Sequence, residues 1–151
     1  MSISIKDWSV RRAALQDTSQ VCDALRLVDQ REITDPSAVE KFLSDPACYL
    51  LFATDQDEVV GSLNGYALKR PYRPEPQFLL YEVGVKEKYR GQGVGTALVR
   101  AFMDEARAAG AFEVWVLTDR TNTAALRIYE KSGLAIEDIN AETVMPNLNL
   151  Q

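Results

Sequence analysis

The feature that most constrains the fold is a glycine-rich segment between an apolar run and a helical pattern. Phe78 to Val85 are mostly apolar, residues Arg90 to Gly95 read Arg-Gly-Gln-Gly-Val-Gly, and a helical pattern starts at Val94. A strand, a glycine-rich loop and a helix in this order direct loop amides and the positive end of the helix dipole at one point. The glycines also remove Cβ atoms that would keep a ligand from the backbone, and Arg90 adds a charge. The segment therefore predicts a phosphate-binding loop.

Two common phosphate-binding patterns do not match this loop. A P-loop requires Lys and then Ser or Thr directly after its last glycine, whereas Gly95 is followed by Thr96 and Ala97. A dinucleotide fingerprint requires a glycine at position 96 and its first glycine close to the strand, whereas Lys86 to Arg90 intervene. The pattern that remains is Arg-x-x-Gly-x-Gly.

A second motif follows about thirty residues later. A helix is expected over Val94 to Ala109, with Gly110 as its C-terminal stop, and Phe112 to Leu117 is predicted to be a short buried strand. The segment Thr121 to Leu134 then contains an Asn, a short helix with a Tyr near its end, and Lys-x-Gly followed by an apolar residue. Two motifs in this order are far more specific than either one alone.

Together the two motifs resemble the signature of the GNAT superfamily of N-acetyltransferases, and the chain is identified as a member. The resemblance implies a single α/β domain over residues 1–151, with a central twisted mixed β-sheet flanked by helices. It also implies acetyl-coenzyme A as the co-substrate, with its pyrophosphate on the helix N-terminus and its pantetheine paired along a strand. The expected cofactor-binding residues are Val83, Gly84, Val85, Arg90, Gly91, Gln92, Gly93, Val94, Gly95, Thr96 and Asn122. For Asn122, capping its own helix is an equally good role.

Two residues are predicted to carry the chemistry. Glu82 lies at the centre of the apolar run, where a charge is expensive to bury unless it faces a cleft or a partner. Its position resembles that of the acidic residue that deprotonates the amine in several family members. The alternative is that Glu82 pairs with a buried Arg or Lys and only supports the fold. Tyr129 matches the Tyr that commonly protonates the departing thiolate, and its alternative is packing on the sheet.

Composition sets outer bounds on the function. The 151 residues are 46% hydrophobic, enough for one domain with a full core. The chain contains no histidine, which excludes Ser-His-Asp and Cys-His mechanisms and His-ligated zinc. No metal is expected, and Cys22 and Cys48 are expected to be free thiols. No apolar run approaches about 18 residues and the N-terminus lacks a signal pattern, so a cytoplasmic protein without a membrane span is expected.

The acceptor is predicted to be a small cationic amine. A net charge of -5 disfavours nucleic acid and favours a cationic partner. The layout from Tyr49 to Val85 is similar to that of type I aminoglycoside 3-N-acetyltransferases, which implies an aminoglycoside acceptor. Expected substrate-binding residues are Glu32, Asp35, Tyr66, Glu82 and Glu142, and further candidate carboxylates are Glu75, Glu137 and Asp138. Two other acceptors stay open, another polyamine and a peptide N-terminus or lysine. A non-catalytic acetyl-coenzyme A-binding module stays open as an alternative function, and a homodimer stays open as the oligomeric state.

The other segments fit the same architecture. Trp8 to Ala13 is predicted to be the first strand, Asp17 with Gln20 is predicted to cap a helix, and Asp35-Pro36 is predicted to open a second helix. Cys48 to Thr54 and Glu58 to Leu68 are predicted to form a hairpin, and Lys69 to Gln77, with three prolines, a non-strand connector. Closing strands are predicted at Ala135 to Ile139 and Thr143 to Leu150.

Overall fold

A computed structural model describes residues 7–135, which form one mixed sheet with helices on both faces. Its strands are β1 (Ser9–Arg12), β2 (Cys48–Asp55), β3 (Glu58–Arg70), β4 (Arg73–Val85) and β5 (Glu113–Val116). Its helices are α1 (Thr18–Leu27), α2 (Pro36–Ser44), α3 (Val94–Ala108) and α4 (Thr123–Lys131). The strands lie in the order β1-β2-β3-β4-β5, antiparallel except for the parallel pair β4–β5. The predicted α/β fold is confirmed.

Each face of the sheet has its own core, because successive side chains of a strand point to opposite faces. On one face, Phe78 and Leu80 of β4 pack with Leu98 and Phe102 of α3, and all four are essentially inaccessible to solvent. On the other face, Phe52 of β2 packs with residues of α1 and α2. The central strands therefore need apolar residues on both sides, as the run in β2 has.

The predicted connector over Lys69 to Gln77 is wrong. Strand β3 continues to Arg70 and β4 begins at Arg73, so the two strands form a hairpin. Prolines are tolerated in β4 because of the side of the strand to which they point. The carbonyl of Pro76 accepts a hydrogen bond from the Phe112 amide, which lies on the side of β4 away from β3. A residue directs its N–H and its C=O to the same side of a strand, so the ring nitrogens of Pro74 and Pro76 face away from the β3 ladder.

The helix ends agree with the predictions at one position and differ at another. Asp35 caps α2 as expected, since its carboxylate accepts a hydrogen bond from the Ser37 amide at 2.9 Å. Asp17 occupies the N-cap position of α1 but makes no capping hydrogen bond. Its carboxylate instead accepts hydrogen bonds from both Arg11 guanidinium nitrogens and from the Ala14 amide, each at 2.8 Å. These contacts lower the pKa of Asp17 to about 2, with the Arg11 hydrogen bonds as the largest cause.

The two predicted closing strands lie outside the described residues, apart from Ala135. Within residues 7–135, no helix combines the length and the apolar character needed to cross a membrane.

Candidate active site

Strand β4 extends beyond the end of its neighbour β5. Residues Gln77–Leu80 pair with Glu113–Val116, and from Tyr81 onwards β4 has no partner on that side within residues 7–135. An unpaired strand edge is a ready site for an extended ligand, which adds to the sheet through main-chain hydrogen bonds. Val83 and Val85, predicted to pair with the pantetheine, lie in this unpaired section.

A bulge at Tyr81 determines which way Glu82 points. Across the β3–β4 pair, Asn64 is opposite Glu82 while the next residue, Gly65, is opposite Leu80, so Tyr81 is an extra residue. Leu80 belongs to the α3 core before the bulge and Val83 packs against the same core after it. Because the bulge shifts the alternation by one, Glu82 leaves the α3 core and faces the side of the sheet that carries α1. An acidic residue can therefore occupy an apolar strand.

Glu82 forms an ion pair in the structure. Its Oε1 lies 2.6 Å from Nη2 of Arg31, which follows α1 in the chain. The Glu82 side chain is 35% exposed and that of Arg31 is 62% exposed. The pair is therefore not the alternative considered above, in which Glu82 pairs with a buried Arg or Lys and only supports the fold. Ion pairs with this much solvent contribute little to stability. Glu82 is therefore partnered and still open to a cleft.

That cleft has a volume of about 300 Å³. Tyr129 of α4 lies on its wall with 6% of its surface exposed, and burial raises the pKa of this phenol. The group is thus held in the protonated form that can donate a proton. The cleft is lined by Asp29, Arg31, Tyr81, Glu82, Val83, Leu117, Thr118, Asn122, Ala125 and Tyr129.

Asp29 is a lining residue that the sequence analysis missed. It follows α1, its Oδ2 accepts a hydrogen bond from Ser62 Oγ at 2.9 Å, and its other carboxylate oxygen lies against the α-carbon of Gly84. Burial raises the pKa of Asp29, the nearby Glu82 carboxylate raises it further, and Ser62 and Arg31 act in the opposite direction. Asp29 belongs to no motif, and its partners are remote in the sequence, so no sequence signal identified it.

A second, larger cleft of about 480 Å³ adjoins the first. It contains most of the predicted cofactor residues, and it shares Val83, Asn122 and Ala125 with the smaller cleft. The structure adds basic and apolar residues of α4 that the motif did not indicate. The lining residues are Val83, Gly84, Val85, Tyr89, Arg90, Gly91, Gly93, Val94, Gly95, Thr96, Asn122, Ala124, Ala125, Arg127, Ile128 and Lys131.

The glycines of the loop are required for two different reasons. Gly91 and Gly93 have φ of +73° and +88°, a left-handed conformation that residues with a Cβ rarely adopt, and Gly93 is the N-cap of α3. Gly95 has ordinary backbone geometry, but a Cβ there would lie 2.6 Å from Cδ1 of Ile128. The expectation that every loop glycine makes room for ligand therefore needs correction, because Gly95 makes room for α4. The left-handed turn and the N-terminus of α3 are suited to binding a diphosphate.

The remaining predicted residues are distributed around these clefts. Arg90 donates from Nε to the Val85 carbonyl at 3.1 Å, which holds the loop against the end of β4. The Gln92 carbonyl accepts a hydrogen bond from Trp8 Nε1 at 2.9 Å. Asn122 caps α4 by accepting from the Ala125 amide at 3.1 Å, and it still lines both clefts.

Apart from Glu82, the predicted substrate-binding residues that the structure describes do not line the smaller cleft. Tyr66 does not line it but stacks edge-on against Tyr81, which does, with ring centroids 5.8 Å apart. Asp35 is the α2 cap described above, and Glu32 is exposed in the segment between α1 and α2. Neither of these carboxylates lines the cleft. Glu75 pairs with Arg73, and Glu137, Asp138 and Glu142 lie outside the described residues.

A family model described as the acetyltransferase (GNAT) family matches residues 13–134. The chain belongs to this family. The family is one of acetyltransferases, and GNAT acetyltransferases use acetyl-coenzyme A. The similarity extends over almost all of the described residues, including both motifs and both clefts.

Curated relatives include acetyltransferases with different acceptors. Human N-acetyltransferase 8B is 31% identical over 109 residues, which are 72% of this chain and 48% of that protein. A mycothiol acetyltransferase from Corynebacterium glutamicum (strain R) is 36% identical over 89 residues, which are 59% of this chain and 29% of that protein. The chain thus spans half or less of the length of these two relatives.

Solved structures share the fold over nearly the whole chain. An aminoglycoside acetyltransferase from an uncultured soil metagenomic sample, in complex with sisomicin, has a TM-score of 0.85 at 23% identity and covers 95% of this chain and 97% of its own. A ribosomal-protein-alanine N-acetyltransferase from Brucella melitensis biovar Abortus 2308 has a TM-score of 0.72 at 20% identity, covering 92% and 99%. At these identities the likeness shows the fold alone.

Proposed function

We propose that this GNAT acetyltransferase moves the acetyl group of acetyl-coenzyme A to a primary amine of a small cationic molecule. One observation carries the proposal. The two clefts adjoin at Val83, Asn122 and Ala125, which line both, and the smaller one is also lined by Glu82 and by Tyr129. A thioester delivered along β4 would therefore reach a base and an acid at the same junction.

Glu82 is assigned the first proton transfer. An alkyl ammonium has a pKa near ~10.4, so only about one molecule in a thousand is a neutral nucleophile at pH 7. A carboxylate within reach of the ammonium, or of a bridging water, removes this limit. The partial exposure of Glu82 and its placement on the cleft wall by the Tyr81 bulge support this role.

Tyr129 is assigned the last proton transfer. As the tetrahedral species collapses, the C–S bond breaks and the sulfur leaves as a thiolate, which takes a proton from the phenol. Burial raises the pKa of Tyr129, so the phenol carries its proton at pH 7 and holds it until the thiolate forms beside it. We assign stabilisation of the oxyanion to backbone amides at the end of β4.

The acceptor that we favour is an aminoglycoside. Two carboxylates, Asp29 and Glu82, line a cleft of about 300 Å³, and the chain carries a net charge of -5, which attracts a polycationic small molecule. Aminoglycoside acetyltransferases share this fold with TM-scores of 0.84 and 0.85, above the 0.72 of the ribosomal-protein-alanine N-acetyltransferase. A cleft specialised for a peptide N-terminus would be expected to continue into an open groove.

The test is a side-by-side thiol-release screen with aminoglycosides, linear polyamines and short peptides. We expect acetyl-coenzyme A-dependent thiol release with aminoglycosides at the highest kcat/KM, and mass spectrometry to find one added acetyl group. Turnover of peptides alone would refute the small-amine assignment. Binding of acetyl-coenzyme A without turnover of any amine would identify a non-catalytic module.

A further inference from the structure

The smaller cleft contains a carboxylate that the proposed mechanism does not use. Asp29 is held in place from two sides, by the hydroxyl of Ser62 and by the close approach of Gly84. Both contacts are possible because Ser62 and Gly84 are opposite each other across the β3–β4 pair, on the face that carries Glu82. Asp29 is thus fixed by the sheet rather than by its own solvent-facing loop.

Among residues 7–135, the charges around Asp29 do not balance. The Glu82 and Asp29 carboxylates share the cleft wall with one guanidinium, that of Arg31, which binds Glu82 at 2.6 Å. These three groups sum to one negative charge, and burial of the Asp29 carboxyl makes that charge costly. The wall therefore carries one negative charge that a single ammonium would neutralise.

We propose that Asp29 is the residue that binds the ammonium of the acceptor and selects cationic amines. This inference rests on the proposed function, and it separates two tasks. Asp29 would hold the incoming ammonium through a charge-assisted hydrogen bond, and Glu82 would accept its proton. Ser62 would act as a positioning residue, because its hydroxyl holds Oδ2 of Asp29 at 2.9 Å.

The experiment compares two amines of similar shape, ethylamine and 2,2,2-trifluoroethylamine, of which only the first is cationic at pH 7. Both are tested as acceptors at saturating acetyl-coenzyme A. For Asp29→Asn we expect the KM of ethylamine to rise roughly tenfold to a hundredfold, with kcat nearly unchanged, because a charge-assisted hydrogen bond is lost. The KM of the uncharged amine should change little. Ser62→Ala should show the same selectivity with a smaller rise.

Asp23→Asn is the matched control, because it removes the same charge from the exposed face of α1, where Asp23 faces Arg26. Its kinetics should match the wild type, which separates local binding from long-range attraction. If Asp29→Asn changes the KM of both amines equally, or changes neither, the proposal is overturned. Turnover of the amines would still uphold the acetyltransferase function in that case. A fall in kcat at constant KM would make Asp29 the proton acceptor and also overturn it. The proposal would also be overturned if the wild type acetylated larger acceptors but neither of the two small amines.

Discussion

Glu82→Gln separates catalysis from structure most sharply, because the ion pair that it breaks is measurable on its own. Glutamine keeps the shape of the side chain and loses its charge and basicity. With 35% of Glu82 and 62% of Arg31 exposed, the pair is expected to contribute no more than about 1 kcal/mol to the free energy of unfolding. For a chain of this size, that corresponds to a fall in Tm of roughly 2–4 °C.

The expected kinetic effect is far larger than the stability effect. A general base contributes about 10² to 10⁴ in rate, so kcat/KM for a cationic acceptor should fall by that factor. The measurement is a pH–rate profile with thermal melts on the same samples. The wild type should show an acidic limb in kcat/KM, and Glu82→Gln should abolish or shift it.

Arg31→Gln is the paired control, since it breaks the same 2.6 Å contact and retains the carboxylate. It should lower Tm by a similar amount and leave the acidic limb in place. The catalytic assignment is refuted if Glu82→Gln keeps the acidic limb and most of its kcat/KM while Tm falls steeply. Bulk water would then be the base, and Glu82 would be a structural partner of Arg31.

Three further outcomes are expected. Tyr129→Phe should lower kcat by a factor of about 10² to 10⁴ with little change in the calorimetric Kd of acetyl-coenzyme A, since the proton is donated in the transition state. Retained turnover would indicate that Tyr129 has only a packing role. Gly93→Ala and Gly110→Ala both add a Cβ to a residue with left-handed backbone, at φ of +88° and +71°, and neither Cβ would meet another atom within 4 Å. Only Gly93→Ala should weaken acetyl-coenzyme A binding, and equal Kd values for the two variants would reject the loop as the diphosphate site. Asp17 has a lowered pKa of about 2, so its stabilisation is complete above its ordinary pKa and is lost as the pH falls towards 2. Asp17→Asn should therefore lower the free energy of unfolding by about 1 kcal/mol at pH 7, and the gap from the wild type should close between about pH 5 and 2 in denaturant titrations.

The elements that the sequence predicts well are those with local physical signals. The glycines at 91, 93 and 110 take left-handed backbone conformations, as turn and helix-stop positions do, and Asn122 caps the helix that it begins. These features depend on residues a few positions apart. They place the loop, α3 and α4, and with them the larger cleft.

The errors arise where the outcome depends on a partner that is remote in the chain. Three prolines argue against a strand unless the side to which their ring nitrogens point is known. For Pro76 that side is the one facing Phe112 and β5, which lie 36 residues further along the chain than their partners in β4. Asp17 is a good cap by its residue type, but Arg11 and Ala14 bind its carboxylate first. Asp29 is held in the site by its hydrogen bond from Ser62. The two residues are 33 positions apart in the chain, so the contact leaves no local signal in the sequence.

The bulge at Tyr81 connects the fold to the chemistry. With regular alternation, Phe78, Leu80 and Glu82 would all point into the core under α3, and an unpaired carboxylate there would cost several kcal/mol. One extra residue turns Glu82 to the opposite face, beside Asp29 and Arg31, and returns Val83 to the core. The same strand then continues without a β5 partner, which opens the edge where a thioester arm can pair. A single inserted residue in β4 thus explains how an acidic side chain in an apolar run comes to face the junction of the two clefts.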